Sequence, residues 1–444
     1  MNTTKTTFKI IDAPTGAGKT TAIIKLLNTQ PPSPLTYERF LVLTPLLSEA
    51  DRICAQTTCR QPLEEDTGKL HQLKQLIING ENICATHSLF NYFDNSIKEL
   101  LTDGEYKYTL IVDEEPSVIL DVITYQYTTG NNKVTDKRLK VLRSLNKCDY
   151  RMLRNEGYLL LNNTTGQLMW NNDKEYTHRG KTGTFNAFRK VLENVDIYSI
   201  NNEERVVAVL NPVIWMCFDT VYISTYRFQN SYFDYYCKLY NFNVEYYHIN
   251  TDYNITAGFL SSYPTGLERL VVCDNPKYNL CNYGYSLSKN WFNMNCKKKD
   301  TDTAKALHNA LRGFLRYGIP KEDFKGYYWT TFKDYKRVLT GRDVSPKHWI
   351  AHNTKATNTY SHCNVVAFVC NKCPNPNIER FLHNRGIKVD RQEYALSCLI
   401  QFVWRSAIRN SNSTDKVYVY VPAERMRIIF NDWLHTAKAT HKKG

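Results

Sequence analysis

The stretch Phe8-Lys9-Ile10-Ile11-Asp12-Ala13-Pro14-Thr15-Gly16-Ala17-Gly18-Lys19-Thr20-Thr21-Ala22-Ile23-Ile24-Lys25-Leu26-Leu27 decides how the rest of the chain is read. Phe8 to Ile11 is an apolar run suited to a buried strand, and Ala22 to Leu27 has helical periodicity. Between them, Ala13 to Thr20 reads as a phosphate-binding loop. Gly16, Ala17 and Gly18 are small enough for their backbone N–H groups to close around a polyphosphate, at a helix N-terminus whose dipole favours anions. Lys19 is spaced to reach the β- and γ-phosphates and Thr20 to place a hydroxyl on Mg²⁺; Thr15 and Thr21 complete the nucleotide-binding set. Ala13 stands where such loops usually carry their first glycine. The plain alternative is a glycine-rich turn with an incidental lysine, and the flanking strand and helix argue against it.

Outward from the loop, strand, turn and helix recur. Phe40 to Leu43 is a short buried strand ended by Thr44-Pro45, and Glu81 to Phe90 runs from strand to helix through Thr86-His87. This rhythm predicts a parallel α/β sheet. Tyr108 to Val112 is fully apolar and delivers Asp113-Glu114-Glu115-Pro116 to its carboxyl end, the edge where such sheets bind ligands. In isolation three acids are a solvated turn. Beyond a phosphate loop they have a chemistry: Asp113 to hold Mg²⁺ and Glu114 to orient and deprotonate the attacking water.

These stretches resemble the superfamily 2 helicases, the group with DEAD, DEAH and DExx boxes. Ala13–Thr20 is similar to their first motif, Leu43-Thr44-Pro45 to motif Ia, Thr86-His87 to a further strand-contacting motif, and Asp113–Pro116 to the acidic box. The resemblance implies two RecA-like domains with a cleft between them that binds ATP and Mg²⁺, and a nucleic-acid strand held across both. It further implies that Ser224-Thr225, after the apolar Val221–Ile223, couples hydrolysis to strand movement. Gly326 to Asp334 resembles motif IV, with Thr330 and Thr331 as strand contacts, and Ala356 to Tyr360 stands where motif V is expected, with Thr357 as a contact. Gln401, Arg405 and Arg409 resemble the last motif, in which Arg405 is the arginine finger. Trp404 replaces the usual glycine there, and Arg409 falls one residue late. Trp404 before the arginine and the Val417–Pro422 strand end resemble helicase-like proteins of bacteriophages most.

The bulk numbers fit this picture. At 444 residues, with 42% hydrophobic and 13% aromatic content, the chain is long enough for two or three cores. Lys and Arg total 57 against 43 Asp and Glu, and the resulting charge of +14 suits a polyanion. No segment approaches the roughly 18 uninterrupted apolar residues of a membrane span. The N-terminus lacks the apolar centre of a signal peptide, so a soluble cytoplasmic protein with no membrane partner is expected, in the host cytoplasm if phage-encoded. The 13 Cys are odd in number and scattered, as suits a reducing compartment. Cys370-x-x-Cys373 with Cys363 hints at zinc without a second matching pair, and His362-Cys363 is a weak nucleophile motif.

The expected organisation is an ATP-binding RecA-like domain over 1–250, an α+β insertion within it at about 117–206, a linker over 251–266 and a second RecA-like domain over 267–444. The insertion carries a basic stretch, Lys137, Arg138, Lys140, Arg143, Lys147, Arg151 and Arg154, which is a solvated helix face or a nucleic-acid contact. His348 to His352 reads as a short strand, and Glu393 to Arg409 as one long helix placing Gln401 and Arg405 on a shared face. The functional expectation is an ATP-dependent helicase or translocase. DNA is favoured over RNA, replication or recombination proteins are further partners, and a monomer suffices for the active site. The alternatives are an ATPase switch without unwinding and an interaction module without turnover.

Overall fold

A computed structural model describes residues 6–441 except 30–36, 64–67, 122–146, 175–184, 186–187, 190–191, 201–204, 261–262, 297–298, 300, 353–358 and 411. Two compact units account for the chain. The first contains a seven-stranded sheet built from β1 (Thr7–Asp12), β2 (Glu38–Thr44), β3 (Ile83–Thr86), β4 (Lys107–Asp113) and three later strands. An inserted module supplies β5 (Ile119–Asp121), β6 (Leu159–Leu161), β7 (Gln167–Trp170), β8 (Val195–Ile200) and β9 (Arg205–Leu210). The main sheet then resumes with β10 (Thr220–Thr225), β11 (Asn243–Ile249) and β12 (Ile255–Ala257).

The main sheet runs β12-β11-β1-β10-β4-β2-β3, parallel throughout except for β12 against β11. Its central strands carry near-continuous aliphatic runs because both faces are covered. Leu41 to Leu43 and Leu110 to Val112 are all buried. On one face the helix Lys19–Thr29 packs Ile23, Ile24 and Leu27 against Val42 and Ile111. On the other, Phe8, Phe90, Phe233 and Trp215 meet edge-on or tilted at centroid separations of 5.1–5.6 Å.

The inserted module is an antiparallel sheet in the order β5-β9-β8-β7-β6. It extends to Leu210, beyond the expected end near 206, because β9 is the strand that pairs with β5 and brings the chain back toward β10. Of its basic stretch, Lys137, Arg138, Lys140 and Arg143 lie outside the described residues.

The second unit comprises Ala13–Gly18, Leu260–Pro374 and Asp390–Gly444. Its parallel sheet contains β13 (Leu270–Val272), β14 (Tyr327–Thr330), β15 (Val365–Phe368) and β16 (Val417–Tyr420) in the order β13-β16-β15-β14. The helix Asp302–Tyr317 starts where the Thr301 hydroxyl accepts from the Ala304 N–H at 3.2 Å, and stops at Gly318. It buries its apolar stripe, with Phe314 stacked on Tyr420. The α/β class with a parallel sheet in each half is as the sequence pattern led one to expect.

The division of the chain differs from the expected 1–250, 251–266 and 267–444. Half of the expected linker forms the β11–β12 hairpin, so the first unit runs to Phe259. Asn375–Val389 also belongs to the first unit, although it lies far into the C-terminal half. The Asn375 side chain accepts from the Asn377 N–H, and Pro376 begins the helix Pro376–His383. That helix sets Ile378, Phe381 and Leu382 among Val207 and Val209. The Arg385 guanidinium lies 3.8 Å from the Phe381 ring centroid and 4.5 Å from that of Tyr198, and donates to the Thr165 carbonyl.

Phe381→Ala should therefore destabilise the first unit by about 3–5 kcal/mol, the usual cost of emptying a buried phenylalanine site. Hydrogen exchange should show lost protection in β8 and β9 while β15 and β16 stay protected. Loss confined to β15 and β16 would contradict this assignment.

Candidate active site

The candidate phosphate loop leaves the buried end of β1. Asp12 closes that strand with its carboxylate accepting the backbone N–H groups of Arg227 (2.9 Å) and Phe228 (3.1 Å), which fastens the loop entrance to the turn after β10. The loop turns at Pro14, whose carbonyl accepts from the Ala17 N–H. Gly16 and Gly18 hold φ values of +92° and +80°, the left-handed region where a side chain is strained. Lys19 and Thr20 open the following helix, and Thr15, Ala17, Gly18, Lys19 and Thr20 are half-buried while Gly16 and Thr21 are exposed.

β10 stands between β1 and β4, so one register links three strand ends: Ile11 pairs with Ser224, and Ser224 with Asp113. The Thr20 hydroxyl donates to Asp113 Oδ2 at 3.1 Å. The Glu114 N–H donates to the Ser224 carbonyl at 2.9 Å, and the Thr225 hydroxyl donates to Glu115 Oε1 at 3.0 Å. Ser224 and Thr225 are thus bonded directly to the acidic turn. The Ser224 hydroxyl is buried and completes no hydrogen bond of good geometry among the described residues, although Ser224 is paired with Asp113 in the register.

Asp113 is only 6% exposed. Burial pushes its carboxyl up to about 6, helped by the Glu114 charge and opposed by Lys19, Thr20 and Ser224. Glu114 has φ +65°, a backbone conformation that costs a non-glycine residue on the order of 1 kcal/mol and is held by the bond to Ser224. A buried carboxylate beside a hydroxyl is the hard-oxygen pair that suits Mg²⁺.

Thr44 and Thr86 are paired at the ends of β2 and β3, and Pro45 and His87 follow them half-buried. Thr44 itself is buried, with its hydroxyl bonded to the Leu46 carbonyl, so it shapes the turn and presents no surface.

In the second unit the expected long helix stops early. It spans Arg391–Val403, capped by Asp390, and buried Trp404 ends it by packing edge-on against Trp433. Gln401 is exposed and bonds Ser397, whereas Arg405 is 5% exposed and lies past the helix end. These two side chains therefore do not share a helix face, and Arg409 falls in the separate short turn Ala407–Arg409. The Arg405 Nη1 donates to the His352 carbonyl at 3.4 Å. Thr330 and Thr331 are both completely buried, so neither hydroxyl is a surface contact; Thr357 lies outside the described residues. His348–His352 forms no strand but a short turn and a single bridge between Trp329 and Trp349. Cys363 lies 3.4 Å from the His362 ring, but burial raises its thiol to about 11, which removes it as a nucleophile. No metal-ligating cluster is found among the described residues, so Cys370 and Cys373 are not joined into a zinc site there.

Sequence reasoning overlooked His352 and Lys372. Lys372 is 8% exposed, and its ammonium lies 3.2 Å from His352 Nε2. The one available signal was a lysine two residues after the apolar Val365–Cys370 run, at a sheet edge.

A family model described as the YonV C-terminal Rossmann-like domain matches residues 266–434. The SPbeta prophage-derived uncharacterized protein YonV of Bacillus subtilis (strain 168) is 30% identical over 446 residues, covering 97% of this chain and 99% of that one. The chain belongs to the YonV family. The YonV relative is prophage-derived, in keeping with the expected bacteriophage kinship. Among solved structures, that titled "Structure of S. tokodaii Xpd4" is 14% identical with a TM-score of 0.49, covering 96% of this chain and 94% of that one. Among the described residues no helix is long and apolar enough to cross a membrane.

The raised Asp113 carboxyl has a definite pH signature. Between about 4 and about 6 the folded chain keeps a proton that the unfolded chain has released, so stability falls as pH rises through that window. Without Mg²⁺, Asp113→Asn should stabilise the first unit at pH 8 by on the order of 2 kcal/mol, with the advantage gone near pH 4. Thermal melts across this range check it, and an Asn variant less stable than wild type at pH 8 would refute it.

Proposed function

We propose that this chain is an ATP-driven motor on nucleic acid, a helicase or translocase, with DNA favoured over RNA. The observation that carries the reading is the Thr20–Asp113 hydrogen bond of 3.1 Å. It joins the phosphate loop to the acidic strand end across a sheet in which those elements are not sequence neighbours. Thr20 and Asp113 would hold Mg²⁺, which when bound would neutralise charge on the phosphates. The loop N–H groups and Lys19 would bind and orient the polyphosphate. Glu114, fixed on its strained backbone, would accept the proton of the attacking water.

Phosphoryl transfer asks little covalent chemistry of a protein, only position and charge. Arg405 would add positive charge at the transferred phosphoryl group, a role worth roughly a thousandfold or more in rate. Ser224 and Thr225, bonded to the acidic turn, would pass the state of the nucleotide along β10. The net charge of +14 favours a polyanionic track.

Lys19→Ala should abolish ATP hydrolysis. Glu114→Gln should retain ATP binding while lowering turnover about a hundredfold or more. Both are read by phosphate release with no polymer, single-stranded DNA, duplex DNA and RNA. Near-normal turnover of Lys19→Ala would sink the phosphate-loop reading. A rate indifferent to every polymer would favour an ATPase switch over a motor.

A further inference from the structure

The chain that leaves β13 displays a pair of aromatic rings at the carboxyl edge of the second sheet. Tyr283 is 82% exposed and Tyr285 is 72% exposed, with Gly284 between them. A lone surface aromatic calls for no explanation, but these rings sit on a backbone pinned from beneath. The Ser286 N–H closes a turn onto the Tyr283 carbonyl (2.9 Å), and the Ser288 N–H bonds the Tyr285 carbonyl (3.2 Å). Asn371, just beyond the end of β15 and 1% exposed, binds the turn from below. Its side-chain amide donates to the carbonyls of Gly284 (2.8 Å) and Ser286 (3.1 Å), and its backbone N–H donates to that of Leu287 (2.8 Å). Arg425 donates to Asn371 Oδ1 at 2.8 Å and so fixes which way the amide points.

The far end of the turn is anchored as well. Leu287 is completely buried at φ +59°, and Phe292, stacked on Tyr335 at 4.9 Å, seats the helix Lys289–Asn295 that follows. The rings are therefore presented before any ligand arrives, and a tyrosine gives up little side-chain freedom on binding. The local charge is of one sign. Between Asp274 and Asp300 the sequence carries five lysines, Lys277, Lys289 and 297–299, and no acid. Arg427 adds a guanidinium 3.5 Å from Asn282 Oδ1. Of the acids that approach from other elements, Asp334 is paired with Lys289 at 3.3 Å, and Glu424 meets the turn through its backbone, donating its N–H to the Cys281 carbonyl.

We propose that Tyr283 and Tyr285 form a stacking platform for the bases of a single-stranded nucleic acid, whose phosphates the neighbouring lysines attract. Every base has a π face, so the contact is indifferent to sequence, and a duplex hides those faces within its own stack. Residues two apart have Cα atoms at most about 7 Å apart, close to two base steps of about 3.4 Å each. The two rings thus serve one base or its neighbours. The assignment rests on the nucleic-acid reading above and adds to it the strandedness of the ligand and the part of the strand that the second unit grips. Exposed tyrosines also suit a protein partner, but the run of lysines without acids favours a polyanion.

The test is fluorescence anisotropy of the full chain with labelled oligothymidylate, the same backbone lacking its bases, and a blunt duplex of equal length. Wild type should bind oligothymidylate at least about tenfold more tightly than the baseless strand. Tyr283→Ala and Tyr285→Ala should each weaken oligothymidylate binding about tenfold while baseless-strand binding stays within about twofold of wild type. Tyr283→Phe and Tyr285→Phe should stay within about twofold on both strands, because the ring and not the hydroxyl stacks. Melting temperatures close to wild type, expected for side chains this exposed, certify that the variants fold. Wild-type oligothymidylate binding by the Tyr283→Ala/Tyr285→Ala double variant overturns the proposal and leaves the rings to a protein partner. It is equally overturned if alanine variants lose both strands alike, if phenylalanine variants fall with them, or if wild type favours the duplex. Wild type binding none of the three probes overturns the nucleic-acid reading itself, which the variants alone would not do.

Discussion

β10 lies between the strand that leads into the candidate phosphate loop and the strand that ends in the acidic turn, and the geometry of the candidate site depends on that placement. A parallel register admits no half-steps, so pairing Ser224 with Asp113 and with Ile11 fixes the level of three strand ends at once. The Glu114 N–H then finds the Ser224 carbonyl, the Thr225 hydroxyl finds Glu115, and Thr20 meets Asp113. A slip of one residue in β10 would turn its buried side chains to the other face and release the bond that holds Glu114 in its left-handed conformation.

The two units spend stability differently at their carboxyl edges. In the first, a carboxylate is buried beside hydroxyls and a lysine, and burial raises its pKa. In the second, a lysine and an arginine crowd a histidine that burial keeps neutral. A protein selected only for stability would replace such groups with apolar ones.

The chain also returns to the first unit after building most of the second. Asn375–Val389 covers the inserted sheet with Ile378, Phe381 and Leu382, and Arg385 lies over aromatic rings from both elements. This crossing is driven by apolar burial rather than by chain order. A helix with one apolar face docks where an uncovered apolar sheet face exists.

Much of this was legible in the sequence, because the signals were local. Apolar runs ending in Asp113 and Ser224, small residues from Gly16 to Gly18 and a lysine opening a helix each follow from short-range sterics and periodicity, and they fixed the parallel α/β class and the candidate nucleotide loop. The Gln401–Arg405 spacing misled because it assumed a helix running on to Arg409. Trp404 prefers a buried tertiary contact with Trp433 to a further turn, and so ends the helix. Likewise Thr44, Thr330 and Thr331 read as surface hydroxyls, and only packing shows them buried. The sequence by itself determined the parallel strands and which polar residues stand at their ends. Tertiary structure alone decided that β10 sits between β1 and β4, that Asn375–Val389 joins the first unit, and that Lys372 stands against His352. Each of these joins residues distant in the chain, and sequence periodicity carries no information about which distant surfaces meet.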